Sequence, residues 1–300
     1  MRLQQIRHFL AALDAGTLRA AALRLGISQP AITKSLRQLE QQVGARLLLR
    51  TPRGVVLTPA GRKFKERARV IEAELRRLSE DLAAERGEGD GSVAFGVGPQ
   101  ACMLLVPESL QHFRRQFPHA RVRILEGVAP GLLGFVRDET LDFCVSMAPA
   151  AKLDGALTFK PLMRPPLVVA GRKGHPLRRA TSLRELSDCQ WLMYFPIGVG
   201  AMLEKAFAAV GAPMPRSILQ CESYATALSL LAKTDTLGLL FPPMLADPFG
   251  SQLQQIPVSE PIPSPLTGLY ARADAPMTPA AAAMAQAITA TARRIARLGR

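Results

Sequence analysis

No uninterrupted apolar run in this 300-residue sequence reaches the ~18 residues that a bilayer-spanning helix needs. The opening stretch, MRLQQIRHFLAALDAG, alternates polar and apolar residues and lacks the continuous apolar segment of a secretory signal. A soluble cytoplasmic protein without a membrane partner is expected. Cysteine is scarce. Cys102, Cys144, Cys189 and Cys221 are far apart and form no CxxC, so free, mostly buried thiols are expected, with redox sensing as the sharper alternative. His8, His112, His119 and His175 are equally scattered, and no pair has metal-site spacing. There is no nucleophile–base set and no recognisable carboxylate pair, so no catalytic residues and no enzyme activity are expected. GVGPQA at 96–101 lacks GxGxxG spacing and no Walker lysine follows it; PIGVGAM at 196–202 is as weak a phosphate loop. Neither a cofactor nor a metal is expected.

What is present begins with apolar mass. Hydrophobic residues make up 48% of the chain, enough for the cores of two domains. The net charge is +14, and its placement is uneven: residues 1–70 hold 14 Lys/Arg against 3 Asp/Glu, and the other 230 hold 24 against 21. A basic N-terminal end suggests a polyanionic partner, nucleic acid before membrane; a merely solvated basic face is the plain alternative.

The basic end has a pattern. Leu3, Ile6, Phe9, Leu10 and Leu13 predict one helical face, stopped at Gly16. Thr17 is a candidate cap for a second helix, with Leu18, Ala21, Ala22 and Leu25 on its inner face and Gly26 at its end. A third helix then opens at GISQPAITKSLRQLE, with Ser28 as cap and Pro30 in the first turn, where a missing N–H costs little. Ile32, Leu36, Leu39 and Val43 form its inward stripe. Gln29, Thr33, Lys34 and Arg37 point elsewhere. Two short helices across a glycine turn are a helix-turn-helix signature. Gln reads adenine, Thr touches a base or thymine methyl, and Lys and Arg reach phosphate or guanine. The bland alternative is a solvated face on an ordinary helical hairpin. The next segment, ARLLLRTPRGVVLTPAG, alternates, turns at Pro52-Arg53-Gly54 and alternates again, as a β-hairpin does. Arg50 and Arg53 on that wing would meet phosphates or a minor groove.

Over Thr17–Gly61 the sequence resembles the LysR-type transcriptional regulators. The carrying residues are Ser28-Gln29-Pro30-Ala31, Leu39-Glu40, Gly44, Leu47, Arg50 and Leu57-Thr58-Pro59-Ala60-Gly61, with Leu49 where the family commonly has Phe. The resemblance extends through the C-terminal part. It implies an α/β protein with an N-terminal winged helix-turn-helix, a long linker helix and a two-lobed effector domain similar to periplasmic binding proteins. The expected organisation is a DNA-binding domain at 1–58 (helix-turn-helix about 18–37), a linker at 59–90 and an effector domain at 91–300. Lobe I would take 91–162 and 267–300, and lobe II 163–266. The DNA-binding residues expected are Ser28, Gln29, Pro30, Thr33, Lys34, Arg37, Arg50 and Arg53.

Pro59 opens a long helix on which Phe64, Ala68, Ile71, Leu75, Leu78 and Leu82 are spaced 4, 3, 4, 3, 4. That is a heptad seam, and a second copy of the chain is its expected partner. A homodimer supplies two reading heads for a dyad-symmetric operator on double-stranded DNA, with half-sites roughly 10 bp apart. The family resemblance implies a homotetramer, with RNA polymerase as a candidate partner. The helix ends at the glycine-rich hinge 86–91.

Beyond Ser92, short apolar strands alternate with helices, predicting α/β lobes with mainly parallel sheets. Ligands of such sheets bind at the carboxyl ends of strands. The candidate junctions are Gly98-Pro99-Gln100-Ala101, Gly127–Pro130, Phe195–Gly200 and Glu222-Ser223-Tyr224. Gln100, Ser146, Ser223 and Tyr224 are candidate polar contacts, and Met147, Phe195, Met202 and Phe241 candidate apolar lining, with plain core packing as the alternative. Family members often carry Ser or Thr near 98–100 and 128; this chain has Gly98-Pro99-Gln100 and Val128. The segments 221–235 and 277–284 are similar to a regulator of aryl-sulfonate degradation, which implies an amphipathic aromatic acid as effector. The resulting expectation is a regulator controlled by a small organic acid. An architectural DNA-binding protein without effector, or an enzyme on a binding-protein-like domain, are the alternatives.

Overall fold

The computed structural model of the chain describes residues 1–52, 54–86, 91–149, 153–193, 199–246, 248–274 and 276–298. Local chemistry sets the N-terminal helices. They are α1 (Leu3–Asp14), α2 (Leu18–Leu25) and α3 (Gln29–Val43). The Thr17 hydroxyl accepts from Ala20 N–H, and the Ser28 hydroxyl from Ala31 N–H. Gly26 and Gly44 close α2 and α3 in the left-handed region. Leu18, Ala21 and Ala22 are buried as expected, but Leu25 is 37% exposed. Helix α2 ends there, and Ile27 packs on the core instead, its N–H bonding back to Ala22 O at 3.1 Å.

Strands β1 (Leu48–Thr51) and β2 (Gly54–Leu57) pair antiparallel as the wing. Glu40 of α3 seats it, one carboxylate oxygen accepting from Leu47 N–H at 2.7 Å and Leu48 N–H at 3.0 Å. Val55 N–H bonds Gly16 O at 2.9 Å, tying the wing to the α1–α2 turn. Gly54 is required there: its φ is +127°, and a Cβ would stand 2.3 Å from Gly16 O.

Helix α4 (Pro59–Glu85) follows, with the Thr58 hydroxyl accepting from Gly61 N–H at 2.9 Å. Its apolar spacing serves two ends. Phe64 stands edge-on to Phe9, with centroids 5.0 Å apart, and Ala68 is buried in the same N-terminal core. Ile71, Leu78 and Leu82 are exposed, and Leu75 is half-buried. The expected single seam is therefore split: its first two residues already have an intrachain partner.

Two five-stranded sheets follow. The first has the order β4 (Arg121–Glu126), β3 (Ser92–Val97), β5 (Phe143–Met147), β12 (Thr267–Arg272), β6 (Leu157–Met163). Helices α5 (Pro99–Gln116), α6 (Gly131–Arg137) and α10 (Pro279–Leu298) cover it. Phe95 and Phe143 stack at 5.2 Å in its core. The second has the order β11 (Leu253–Gln255), β7 (Val168–Arg172), β10 (Leu237–Leu240), β8 (Trp191–Met193), β9 (Ile218–Gln220). It carries α7 (Val199–Ala209), α8 (Tyr224–Lys233) and α9 (Pro242–Ala246). Trp191 anchors its core against Phe207, at 5.5 Å between ring centroids. Burying side chains of this size contributes about 1.5–3 kcal/mol each.

These sheets are mixed rather than mainly parallel. β3, β4 and β5 run parallel, as do β8, β9 and β10, but β12 is antiparallel to β5 and β6, and β7 to β10 and β11. The antiparallel strands carry the chain between lobes through β6–β7 and β11–β12. A strand that enters from the other lobe arrives without the helical crossover that makes neighbours parallel. Pro161 interrupts the apolar pattern of β6; as an edge strand it tolerates a residue without an N–H.

Candidate functional site

The first site is the outer face of α3. Gln29, Pro30, Lys34 and Arg37 are exposed, and Thr33 is half-buried. Ser28 and Pro30 form the helix start. Gln29, Lys34 and Arg37 have no hydrogen bond or ion pair among the described residues, so their polar groups are open to a partner. Arg50 lies in β1 of the wing; Arg53 lies outside the described residues.

Behind α3, His8 Nδ1 lies 2.8 Å from Ser35 Oγ and fixes the reading helix to α1. Burial holds the His8 ring below its ordinary value of 6.5. The unfolded chain therefore takes the proton first as pH falls. The stability from a neutral His8 is whole above 6.5 and is lost as pH drops from there to the lower folded value. Thermal midpoints of the full chain should decline on acidification below about 6.5, and His8→Gln should flatten that part of the slope. Identical slopes for the two proteins would remove His8 from the account.

The second site is a cleft between the lobes, at the carboxyl ends of β3, β5 and β10. Its empty volume is about 820 Å³, counting the open mouth. Lobe I supplies Gly98, Ala101, Val128, Ser146, Met147 and Thr267. Lobe II supplies Met202, Tyr224 and Phe241, together with Leu192, Leu228 and Leu231. Eight of the sequence-derived candidates thus meet in one space: Gly98, Ala101, Val128, Ser146, Met147, Met202, Tyr224 and Phe241. Pro99 and Ser223 are not brought to it. The Ser223 hydroxyl caps α8, accepting from Thr226 N–H at 3.3 Å, and the residue is exposed. Phe195 lies outside the described residues, and Gln100 is placed by its backbone in the first turn of α5.

The polar groups of the cleft are few. Ser146 is buried, and its oxygen accepts from Ala129 N–H at 3.1 Å, which leaves its own proton to donate. Tyr224 donates its hydroxyl to Met244 Sδ at 3.0 Å. The Thr267 hydroxyl has no hydrogen-bond partner among the described residues. Helix α5 begins without a side-chain cap, so first-turn N–H groups face the cleft end. Thr267, Leu228 and Leu231 are absent from the sequence-derived set. The polar Thr267 opening an apolar strand was the available signal.

Three of the four thiols are held in the protonated form by burial. Burial raises Cys102, Cys189 and Cys144, the last to about 12, and the thiolate is the reactive form. No group of acidic, cysteine or histidine residues suited to a metal occurs among the described residues.

A helix-turn-helix with an open reading face, joined through a long helix to a two-lobed domain with a cleft, defines a ligand-responsive DNA-binding regulator. The chain belongs to the LysR family of transcriptional regulators. Residues 3–62 match the family "Bacterial regulatory helix-turn-helix protein, lysR family", and residues 86–293 match "LysR substrate binding domain". The chain is 30% identical over 292 residues to the SDS degradation transcriptional activation protein of Pseudomonas sp. (strain ATCC 19151), covering 94% of both chains. It is 28% identical over 262 residues to the HTH-type transcriptional regulator TdcA of Escherichia coli K12, covering 87% of this chain and 83% of TdcA. Among solved structures, CbnR, a LysR family transcriptional regulator, shares the fold with a TM-score of 0.72 at 21% identity, covering 97% of this chain and 99% of CbnR. A second structure holds full-length CbnR with its target DNA, at a TM-score of 0.69. The chain is a transcriptional regulator rather than an enzyme. No helix among the described residues is long and apolar enough to cross a membrane.

Proposed function

We propose that residues 1–58 read a dyad-symmetric operator, that residues 59–90 pair two copies of the chain, and that residues 91–300 take a small organic acid between lobe I (91–162 and 267–300) and lobe II (163–266). The single observation that carries the reading is one chain holding both an unoccupied α3 face and an inter-lobe cleft; an architectural protein has no use for the cleft. Gln29, Thr33 and Lys34 take the base-reading role, and Ser28 and Pro30 set the helix start. Arg37, Arg50 and Arg53 take phosphates. The exposed Ile71, Leu78 and Leu82 form the pairing surface for a homodimer, two of which make a tetramer. The same reading has the protein act on DNA in the cytoplasm, with RNA polymerase as a candidate partner. An anionic effector is in keeping with the relative named for SDS degradation. The effector acts only through its preference for one of two arrangements of lobes and heads.

Gln29→Ala should weaken operator binding by about 1–3 kcal/mol while leaving affinity for random DNA near its original value. Titrations on both DNAs check it; equal losses would take base reading away from Gln29. The test of the whole is a footprint upstream of the chain's own gene, run with and without compounds that stabilise the protein in a thermal-shift screen of organic acids. A footprint that shifts with the compound supports a sensor. A footprint indifferent to every stabilising compound supports the architectural alternative.

A further inference from the structure

The cleft is chemically lopsided. Every uncommitted side-chain polar group on its described walls belongs to lobe I: the Ser146 proton and the Thr267 hydroxyl, at the same end of the adjacent strands β5 and β12. The described lobe II wall is apolar, with Leu167, Leu192, Leu228, Leu231 and Phe241. Its one hydroxyl, on Tyr224, is turned to Met244. Among the described lining residues there is no Lys, Arg, Asp or Glu.

We propose, resting on the effector reading above, that the ligand is an amphiphile with a single acceptor head on lobe I at Ser146 and Thr267, and an apolar body in lobe II. Two hydroxyl donors and the positive end of α5 suit one carboxylate, sulfonate or sulfate. They do not suit two, because a second anion would enter the leucine-lined end and lose its water with nothing to replace it. An apolar body there replaces water contact with Leu228 and Leu231, and affinity grows with its length. Because head and body sit on different lobes, one molecule holds both, and closure of the lobes follows from its own contacts.

The test uses the full chain and n-alkyl carboxylates and n-alkyl sulfates of four to ten carbons, below their micelle concentrations, titrated calorimetrically beside straight-chain dicarboxylates of equal length. Affinity for the mono-anions should rise about fourfold per added methylene until the cleft is full. Dicarboxylates should bind at least about tenfold more weakly. Thr267→Val should weaken mono-anions about five- to tenfold and leave the melting temperature of the ligand-free protein unchanged, since that hydroxyl bonds nothing among the described residues. Leu228→Gln, at a half-buried position, should shrink the gain per methylene. Affinity that ignores chain length, dicarboxylates that bind equally well, or a silent Thr267→Val would each overturn the proposal. Chain-length-dependent binding with an unmoved DNA footprint would support the amphiphile site and overturn the effector reading. A footprint moved only by compounds of another chemistry would keep the effector reading and overturn the amphiphile.

Discussion

Glu139→Ala is expected to lower the unfolding free energy by about 3–5 kcal/mol, the largest effect of any single substitution considered for this chain. Glu139 follows α6, and its side chain is 1% exposed. Arg77 of α4 lies 2.9 Å from one carboxylate oxygen, and Arg272 of β12 bonds the other. Beside them Arg76 of α4 bonds Asp142 at 2.6 Å and Ser92 at 3.1 Å. Two adjacent arginines thus clamp the linker helix to lobe I. Burial pushes the Glu139 carboxyl above the usual carboxylate range, and the charges of Arg77 and Arg272 only partly pull it back. A charge held at that cost positions groups more than it stabilises them, yet its removal takes away the buried carboxylate that Arg77 and Arg272 share, leaving Arg77 only the exposed Glu74 and Arg272 only the exposed Asp274. Denaturant unfolding of Glu139→Ala and of Arg77→Met should separate the two roles. Arg77→Met keeps the Arg272 pair and should cost less, while loosening α4 from lobe I and weakening any effector-dependent change in the footprint. A loss below about 1 kcal/mol for Glu139→Ala would mean that water reaches the cluster and screens it.

Gly61→Ala should cost about 3 kcal/mol, although alanine is ordinarily the better helix residue by roughly 1 kcal/mol. Gly61 sits in the first turn of α4, directly under the end of the wing. A Cβ there would stand 2.0 Å from the Leu47 carbonyl oxygen. That oxygen cannot give way cheaply, since it accepts from Thr58 N–H at 3.0 Å and from the Thr58 hydroxyl at 3.3 Å. The strand and the helix must part, and the wing moves relative to α3. Thermal melting and operator titration should both show the loss. An unchanged melting temperature would mean that the α4 start can shift without strain.

Much of the fold follows from short-range chemistry. Caps at Thr17, Ser28 and Thr58, glycines at Gly26 and Gly44, and the stripe Ile32, Leu36, Leu39 lie within a turn or two of what they control. In α6 and α8 the buried residues Leu132, Leu133, Val136 and Tyr224, Ala227, Leu231 follow helical spacing for the same reason. The three-residue β11 and the proline-bearing β6 are too short or too irregular to show a period. Leu25, Phe64 and Ala68 show the next limit. Spacing tells which face of a helix is apolar and is silent on what covers it. Leu25 stays more than a third exposed, and Phe64 and Ala68 have the chain's own α1.

By itself the sequence determined the reading head, the linker helix, the α/β lobes and the family, because each rests on residues close together in the chain. The tertiary structure alone decided which residues share the cleft. Ser146 and Thr267 are brought to it from adjacent strands 121 positions apart in the chain, and Leu231 from the opposite lobe. It also decided that Ser223 is spent as a cap and that Arg76 and Arg77 clamp lobe I. These are matters of which surfaces meet, and an apolar or charged residue carries the same local pattern whether it faces a core, a cleft or a partner.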